Sequence, residues 1–145
     1  MRRALVIALG FLIVLLMGCG SNYKEYYQKV HEDLLVKQIA PLNDEYVLSL
    51  NEAQDLANAT GDNIPPFDNE LKAKYDVIAK KLEGIKEELK KYSPPDEFKE
   101  PHQRLVAYLD KFAASVTDAQ KAAGGDVEAG KKAREPFKDA VVKCP

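Results

Sequence analysis

The chain has 145 residues, of which 46% are hydrophobic and 30% are charged. This composition is typical of one folded domain and excludes a disordered chain or a multi-span membrane protein. The 21 basic and 23 acidic residues give a net charge of −2 without a basic block, which argues against nucleic acid as a partner. With two cysteines and two histidines, the sequence excludes a zinc ribbon, a disulfide-rich scaffold and a Cys-x-x-Cys-His haem site.

The first segment of the chain combines positive charge with an apolar run. Arg2 and Arg3 precede residues 4–17, which are 14 residues without a charged side chain. At about 1.5 Å per residue, a helix of this length spans about 21 Å, which is less than the roughly 30 Å hydrocarbon core of a bilayer. The run therefore favours a secretory signal segment over a permanent transmembrane helix.

The apolar run ends in Leu16-Met17-Gly18-Cys19, and here the sequence resembles bacterial lipoprotein precursors. Leu16 matches the aliphatic position, Gly18 the small residue before the cleavage site and Cys19 the lipidated cysteine, whereas Met17 is bulkier than usual. The resemblance implies cleavage between Gly18 and Cys19, transfer of diacylglycerol to the Cys19 sulfur, and acylation of palmitate type. The alternative is an uncleaved signal anchor with an incidental cysteine.

The resemblance also implies a location and a domain organisation. It places the protein on the extracytoplasmic face of a bacterial membrane, with the outer membrane as an option in an organism that has one. Residues 1–18 are predicted to be the signal peptide, residues 19–22 the lipidated cysteine and a short tether, and residues 23–145 a helical domain. Removing the two leader arginines leaves 19 basic and 23 acidic residues, a net charge of −4.

Three tyrosines, Tyr23, Tyr26 and Tyr27, follow the tether at once. The extended tether is only about 10 Å long, so the folded domain is expected close to the lipid surface. Two interpretations follow. Tyr23, Tyr27 and Val30 begin the buried face of the first helix, which we favour, or the tyrosine rings rest in the headgroup layer.

Apolar residues recur at helical spacing through the rest of the chain. The segment 67–92 and the segment after Phe98 each carry an apolar stripe with alternating steps of four and three residues, formed by Leu71, Tyr75, Ile78, Leu82, Ile85, Leu89 and Tyr92 and by Phe98, His102, Leu105, Leu109, Phe112, Val116, Ala119 and Ala123. Ser93 is predicted to cap the second of these helices, with Pro94 in its first position. Gly124-Gly125 is expected to end it.

The first helical region is predicted over about 22–59. Its later half carries a stripe of Leu35, Ile39, Leu42, Tyr46, Ser49, Ala53 and Leu56. Pro41 lies inside this stripe, so a kink or break is expected near residues 37–40. Since the stripe keeps its phase across Pro41, one kinked helix is favoured over two.

The C-terminal tail carries a weaker pattern. Asp126 is a candidate N-cap, and a short or kinked fourth helix is predicted to pack through Phe137 and Val141. Short connections make successive helices antiparallel neighbours. The predicted fold is therefore all-α, an up-and-down antiparallel bundle of three long helices plus a weaker C-terminal helix.

His102 is the most informative candidate for chemistry, because it lies on an apolar stripe. One hypothesis makes it part of an internal ligand or metal pocket with Tyr75, Tyr108 and nearby carboxylates. However, bundle metal sites use Glu-x-x-His pairs, and the residues three positions before His102 and His31 are Lys99 and Gln28. A structural histidine with a hydrogen-bonding partner is favoured, and no metal or cofactor is predicted.

The sequence contains no recognisable catalytic motif. No serine lies in a Gly-x-Ser-x-Gly setting, and no glycine-rich phosphate loop is present. The function predicted is therefore that of a membrane-anchored lipoprotein, not an enzyme, whose helical bundle binds an envelope protein or cell-wall polymer through the loop 61–67 or the corner 94–101. The alternative is a ligand- or metal-binding bundle lipoprotein. Cys144 is either a free thiol or a cross-link to another chain.

Overall fold

The computed structural model describes residues 21–60, 68–126 and 128–134. All regular structure in these ranges is helical, which confirms the predicted all-α class. The elements are α1 (Ser21–Tyr26), a π-helical segment (Tyr27–Ile39), α2 (Ala40–Thr60), α3 (Asn69–Leu89), a 3₁₀ turn (Asp96–Phe98), α4 (Lys99–Ala123) and a short helix at 128–134. The first three form one continuous run, so the bundle has three long helical runs and a short fourth one.

Polar contacts across the helix seams fix the directions of the helices. Glu45 and Glu52 of α2 pair with Lys81 and Lys74 of α3, each at 2.8 Å. The later residue of α2 meets the earlier residue of α3, so these two helices are antiparallel. On the opposite side of α3, Asp76 binds Gln120 of α4 at 2.7 Å and Lys86 binds Asp110, again in antiparallel order.

The core is built from the apolar stripes of the long helices. Six of the seven stripe residues predicted for the segment 67–92 are buried in α3: Leu71, Tyr75, Ile78, Leu82, Ile85 and Leu89. The seventh, Tyr92, lies beyond the end of α3 and is half-buried against the core. In the stripe of α4, Phe98, Leu109, Phe112, Val116, Ala119 and Ala123 are buried, while His102 and Leu105 are half-buried. The alternation of four and three residues therefore predicted the inward faces of both helices correctly.

The π-helical segment changes which residues of the first run face the core. The buried residues Tyr26, Val30, Leu34 and Ile39 follow one another in steps of 4, 4 and 5. Hydrogen bonds that run five residues back widen each turn, so the inward face recurs at longer intervals than in an α-helix. Leu35 packs against the edge of the core as the predicted stripe requires, and Leu34, which that stripe did not include, is fully buried beside it.

Pro41 does not break the helix. The run stays helical through α2, and the irregularity is the π-helical segment, which ends two residues before the proline. At this junction the Ala40 N–H donates to the Leu35 carbonyl, five residues back. In an α-helix a proline ring clashes with the carbonyl four residues back and provides no N–H. A preceding π turn, whose bonds are displaced by one residue, accommodates this defect within one continuous helix.

The corner between α3 and α4 differs from the prediction. Ser93 does not cap a helix, because regular structure resumes only at the 3₁₀ turn that begins with Asp96. A residue followed by proline is disfavoured in the helical region, so Pro94 cannot open a helix while Pro95 follows it. Pro95 has extended backbone angles, φ −56° and ψ 160°, and its carbonyl accepts from the Phe98 N–H at 2.9 Å.

The opposite end of the bundle is closed by caps. Asp68 accepts from the N–H groups of Glu70 and Leu71 at 2.7 and 3.0 Å, and so caps α3. α4 ends at the predicted glycines, where Gly125 adopts a φ of 97°. Asp126 accepts from the Ala129 N–H at 3.1 Å, which confirms its predicted role as an N-cap.

Several predictions concern residues outside the described ranges. They are the signal peptide at 1–18, the lipidated Cys19, the loop 61–67, Phe137, Val141 and Cys144. Within the described residues, no helix is both long and apolar enough to cross a membrane.

Gly84→Ala is expected to raise the free energy of unfolding by about 0.5–1 kcal/mol. Gly84 lies inside α3, and a Cβ there would meet no atom within 4 Å, so alanine gains helix propensity without a clash. Gly125→Ala is the matched control and should lower stability, because its positive φ strains any side chain. Urea denaturation of both variants measures the two effects; a loss of stability in Gly84→Ala would contradict the packing described for α3.

Candidate functional site

His102 lies at the start of α4 and binds Tyr26 across the bundle. Its Nδ1 is 2.7 Å from the Tyr26 hydroxyl, whose side chain is only 4% exposed. Burial raises the pKa of Tyr26 to about 12 and lowers the pKa of His102 below 6.5. At neutral pH the pair therefore consists of a protonated phenol and an uncharged imidazole, and the imidazole tautomer decides which of them donates. This is the hydrogen-bonded structural role favoured for His102 from the sequence.

Aromatic rings surround this hydrogen bond. The Phe98 ring centroid lies 5.2 Å from that of Tyr26 and 5.0 Å from that of Tyr23. We call Tyr23, Tyr26, Phe98 and His102 the N-terminal aromatic cluster. Tyr26 is its fully buried tyrosine, whereas Tyr23 and Tyr27 are half-buried and pack against the edge of the core. The tyrosines thus begin the buried face as favoured from the sequence, although with Tyr26 in the central place.

His31 lies one turn further along, in the π-helical segment. It is 8% exposed, and its ring stacks on Tyr27 with centroids 4.6 Å apart and planes at 15°. Burial lowers its pKa, and the nearby Glu32 opposes that shift in part. Both histidines of the chain are therefore held in surroundings that favour the uncharged ring.

Tyr75 and Tyr108, the other two residues of the hypothetical pocket, bind separate partners. The Tyr75 hydroxyl donates to the Ser49 carbonyl at 3.2 Å, and the Tyr108 hydroxyl donates to Asn43 Oδ1 at 2.8 Å. Burial raises the pKa of each phenol to about 12. His102 Nδ1 and the hydroxyls of Tyr75 and Tyr108 therefore bind three different partners: Tyr26, Ser49 and Asn43.

A buried polar chain was missed from the sequence. Ser115 donates to the Ala133 carbonyl at 2.6 Å, so its oxygen accepts from the Tyr46 hydroxyl at 2.7 Å. Tyr46 also contacts the rings of Tyr75 and Phe112, at centroid distances of 6.0 and 5.3 Å. The sequence signal was present, since Tyr46 lies on an apolar stripe and a buried phenol needs a partner. The identity of that partner depends on the packing of α2 against α4.

This chain attaches the short helix at 128–134 to the bundle. Ala129 and Ala133 are buried, and Arg134 donates to Gln54 Oε1 and to the Leu50 carbonyl. The short helix therefore packs on α2 and α4 through small side chains and hydrogen bonds. The weak apolar pattern of the tail contained Ala133 but gave no indication of the contacts made by Ser115 and Arg134.

Two surface grooves lie elsewhere on the bundle. One, of about 480 Å³, runs between the first helical run and α3, and the other, of about 310 Å³, lies between α3 and α4. Neither is lined by His102, Tyr75 or Tyr108. In the ranges that the structure describes, no group of three or more His, Cys, Asp or Glu residues is placed to hold a metal ion.

Comparisons of the chain with protein-family models, with curated proteins and with solved structures gave no match. The geometry therefore has to be interpreted from the chain itself. Its polar core groups serve packing, and its distinctive surfaces are the two ends and the seams between the helices.

Mild acid is expected to destabilise the fold through its two histidines. Their pKa values are lowered in the folded state, so the unfolded chain binds protons first as the pH falls. The free energy of unfolding should hold its full value above pH 6.5 and fall as the pH drops through the folded-state pKa values. Three carboxylates also have lowered pKa values, but they become protonated, and so change the free energy of unfolding, only at lower pH: Asp33, Glu87 and Asp96.

Urea midpoints between about pH 7.5 and 5.5 measure this dependence. The double variant His31→Gln, His102→Gln should show a flatter profile over the same range. A profile equally steep in the variant would exclude the histidines as its cause.

Ser115→Ala is expected to lower the free energy of unfolding by about 1–3 kcal/mol. The change leaves both the Tyr46 hydroxyl and the Ala133 carbonyl without their buried partner. Tyr108→Phe is the control, with an expected loss under about 1 kcal/mol, because its site is half-buried and water can replace the hydroxyl. Hydrogen exchange at 128–134 should accelerate in the first variant only; equal effects of both variants would contradict the role assigned to Ser115.

Proposed function

We propose that the protein is a lipid-anchored bacterial envelope lipoprotein whose helical bundle binds a partner and carries out no catalysis. The observation that carries this proposal is the position of Cys19 after a signal-like apolar run and two residues before Ser21, where the described structure begins in a helix. Two or three acyl chains at one cysteine hold a protein stably on a bilayer, whereas one chain holds it only marginally.

The fold gives such an anchor a defined orientation. Because α1 follows Cys19 so closely, lipid at this residue would place α1 and the elements packed on it beside the membrane. Tyr23 contacts Phe98, so the corner 94–101 lies at the same end. Thr60, Asp68 and Gly124 lie at the opposite end, where the Asp68 N–H donates to the Ala123 carbonyl at 3.3 Å.

This orientation distinguishes the two candidate binding regions. The corner 94–101 would face the lipid headgroups and would be poorly accessible to a large partner. α3 has 21 residues, which at about 1.5 Å each span about 30 Å. The connection between Thr60 and Asp68 lies at the end of α3 that would be this far from the membrane. The proposal therefore assigns partner binding, to an envelope protein or cell-wall polymer, to the distal end and the sides of the bundle.

The ligand- or metal-binding alternative is less well supported. His102 Nδ1 and the hydroxyls of Tyr75 and Tyr108 bind Tyr26, Ser49 and Asn43 instead of one common site. Those contacts would have to be broken before the same atoms could bind a ligand.

Intact-mass measurement of chain extracted from membranes tests the anchor. The expected mass is that of residues 19–145 plus a diacylglyceryl group, with or without a further acyl chain. Cys19→Ala should yield an unprocessed chain without this added mass. An unmodified wild-type polypeptide that begins at residue 1 would overturn the proposed location.

Affinity capture from detergent-solubilised envelopes tests the binding region. Replacing residues 61–67 with a glycine-serine linker of equal length should abolish capture while helicity, measured by circular dichroism, is retained. The double variant Asp96→Asn, Glu97→Gln at the opposite end is the matched control and should capture normally. Capture that survives the linker and fails in the control would reverse the assignment of the two ends.

A further inference from the structure

We propose that two copies of this chain associate side by side, related by a two-fold axis parallel to the helices, through the outer face of α2 and α3. The centre of this face is formed by Leu48 and Val77, and we call these two residues with their charged neighbours on both helices the α2–α3 face. The inference does not depend on lipid attachment, since the face belongs to the bundle itself.

Leu48 and Val77 are unusually exposed for aliphatic residues. Leu48 is 68% exposed and Val77 is 50% exposed, the two highest values among the large hydrophobic side chains of the described residues. A single exposed aliphatic residue is ordinary, but adjacent ones form a patch that indicates a contact surface.

The ion pairs show that the two residues are adjacent. Leu48 lies three residues after Glu45 and four before Glu52, while Val77 lies three after Lys74 and four before Lys81. Glu45 pairs with Lys81 and Glu52 pairs with Lys74 across the antiparallel seam. Residues three and four apart share a helix face, so Leu48 and Val77 stand at the same level between the two ion pairs.

The seam continues beyond the Glu45–Lys81 pair as the groove of about 480 Å³. Its floor includes Pro41, Leu42, Gly84 and Ile85, and its other lining residues are polar or charged: Lys37, Gln38, Glu45, Lys80, Lys81 and Glu88. Gly84 has open space where a side chain would lie. The face thus has two exposed aliphatic side chains, Leu48 and Val77, next to a shallow groove.

The charges around the two aliphatic residues have opposite signs on the two helices. The exposed charged neighbours of Leu48 on α2 are acidic: Asp44, Glu45, Glu52 and Asp55. On α3, Val77 is flanked by Lys74, Lys80 and Lys81, and Glu70 lies one turn beyond Lys74 and pairs with it at 3.6 Å. Lys74 and Lys81 also pair with Glu52 and Glu45 of α2 in the same chain. The α2 half of the face is therefore acidic, and the α3 half is predominantly basic.

A face divided in this way is complementary to a second copy of itself. A two-fold axis parallel to the helices brings α2 of one copy opposite α3 of the other at the same height. Each Leu48 then meets the partner's Val77, and each acidic edge meets a basic edge. This is the requirement for an isologous interface, in which the same patch serves both copies. Charge complementarity also fixes the register and disfavours other pairings.

The same geometry suits a chain attached to a membrane. A two-fold axis along the bundle keeps both N-terminal ends on the same side, so two anchors could enter one bilayer. Confinement to a surface raises the effective concentration of the two copies and favours association. A two-fold axis perpendicular to the helices and within the interface would instead place the acidic α2 edges opposite each other and the two anchors at opposite ends.

Sedimentation of the full chain in detergent provides the first test, with a dimer expected for the wild type. Leu48→Asp places a carboxylate at the centre of the face and should weaken association by at least about tenfold. Val106→Asp is the matched control, because Val106 is also an exposed aliphatic residue, 38% accessible, but lies on α4. A wild-type monomer, or equal weakening by both variants, overturns the proposal, even if another envelope protein occupies the face.

Disulfide trapping in membranes tests the geometry. Chains carrying Cys144→Ser and either Leu48→Cys or Val77→Cys are co-expressed and oxidised, so that any disulfide between residues 48 and 77 joins two copies. The two-fold arrangement predicts a mixed dimer, because bridged Cα atoms must approach within about 7 Å. Co-expression of Leu48→Cys with Val106→Cys is the control. Equal yields in both pairings overturn the proposed arrangement, whether or not the chain is lipidated.

Discussion

The first helical run has to keep one face against α3 and α4 on both sides of a proline, and the rest of the bundle depends on how it does so. In a regular α-helix the Pro41 ring would clash with the carbonyl of Lys37. The π-helical segment Tyr27–Ile39 lets the run continue, and it turns Tyr26, Val30 and Leu34 toward the same core as Tyr46. The N-terminal aromatic cluster and the buried tyrosines Tyr46 and Tyr75 therefore share one core.

The polar groups of that interior explain why the bundle has a definite arrangement. Apolar stripes alone allow helices to slide and rotate, because burial of hydrophobic area is not directional. The Tyr46–Ser115–Ala133 chain connects α2, α4 and the short helix, while the Tyr26–His102 and Tyr108–Asn43 hydrogen bonds each connect two elements at one register. A displaced helix would leave the buried groups of the Tyr46–Ser115–Ala133 chain unsatisfied, which costs more than the bonds contribute when formed.

The proposed functions depend on the surface of the bundle, at its two ends and along one side. The proposed lipid anchor would adjoin the N-terminal aromatic cluster, turn that end of the bundle toward the bilayer, and leave the other end and the sides accessible. On one side, Leu48 and Val77 are exposed between acidic residues of α2 and basic residues of α3. Orientation by the anchor and pairing through this side are compatible, because both act along the same axis.

The sequence by itself determined the helical class, the inward faces of α3 and α4, the stop at Gly124-Gly125 and the cap at Asp126, since these follow from local spacing and backbone preference. The sequence also contains the signal-like run and Cys19, and the cleavage and lipidation inferred from them remain predictions. Only the tertiary structure decided that Leu34 is fully buried while Leu35 packs at the edge of the core, that Ser93 does not cap a helix, and which groups bind Tyr46, Tyr108 and His102. Those outcomes depend on contacts between residues far apart in the chain. The local spacing of apolar residues along the sequence does not determine such contacts.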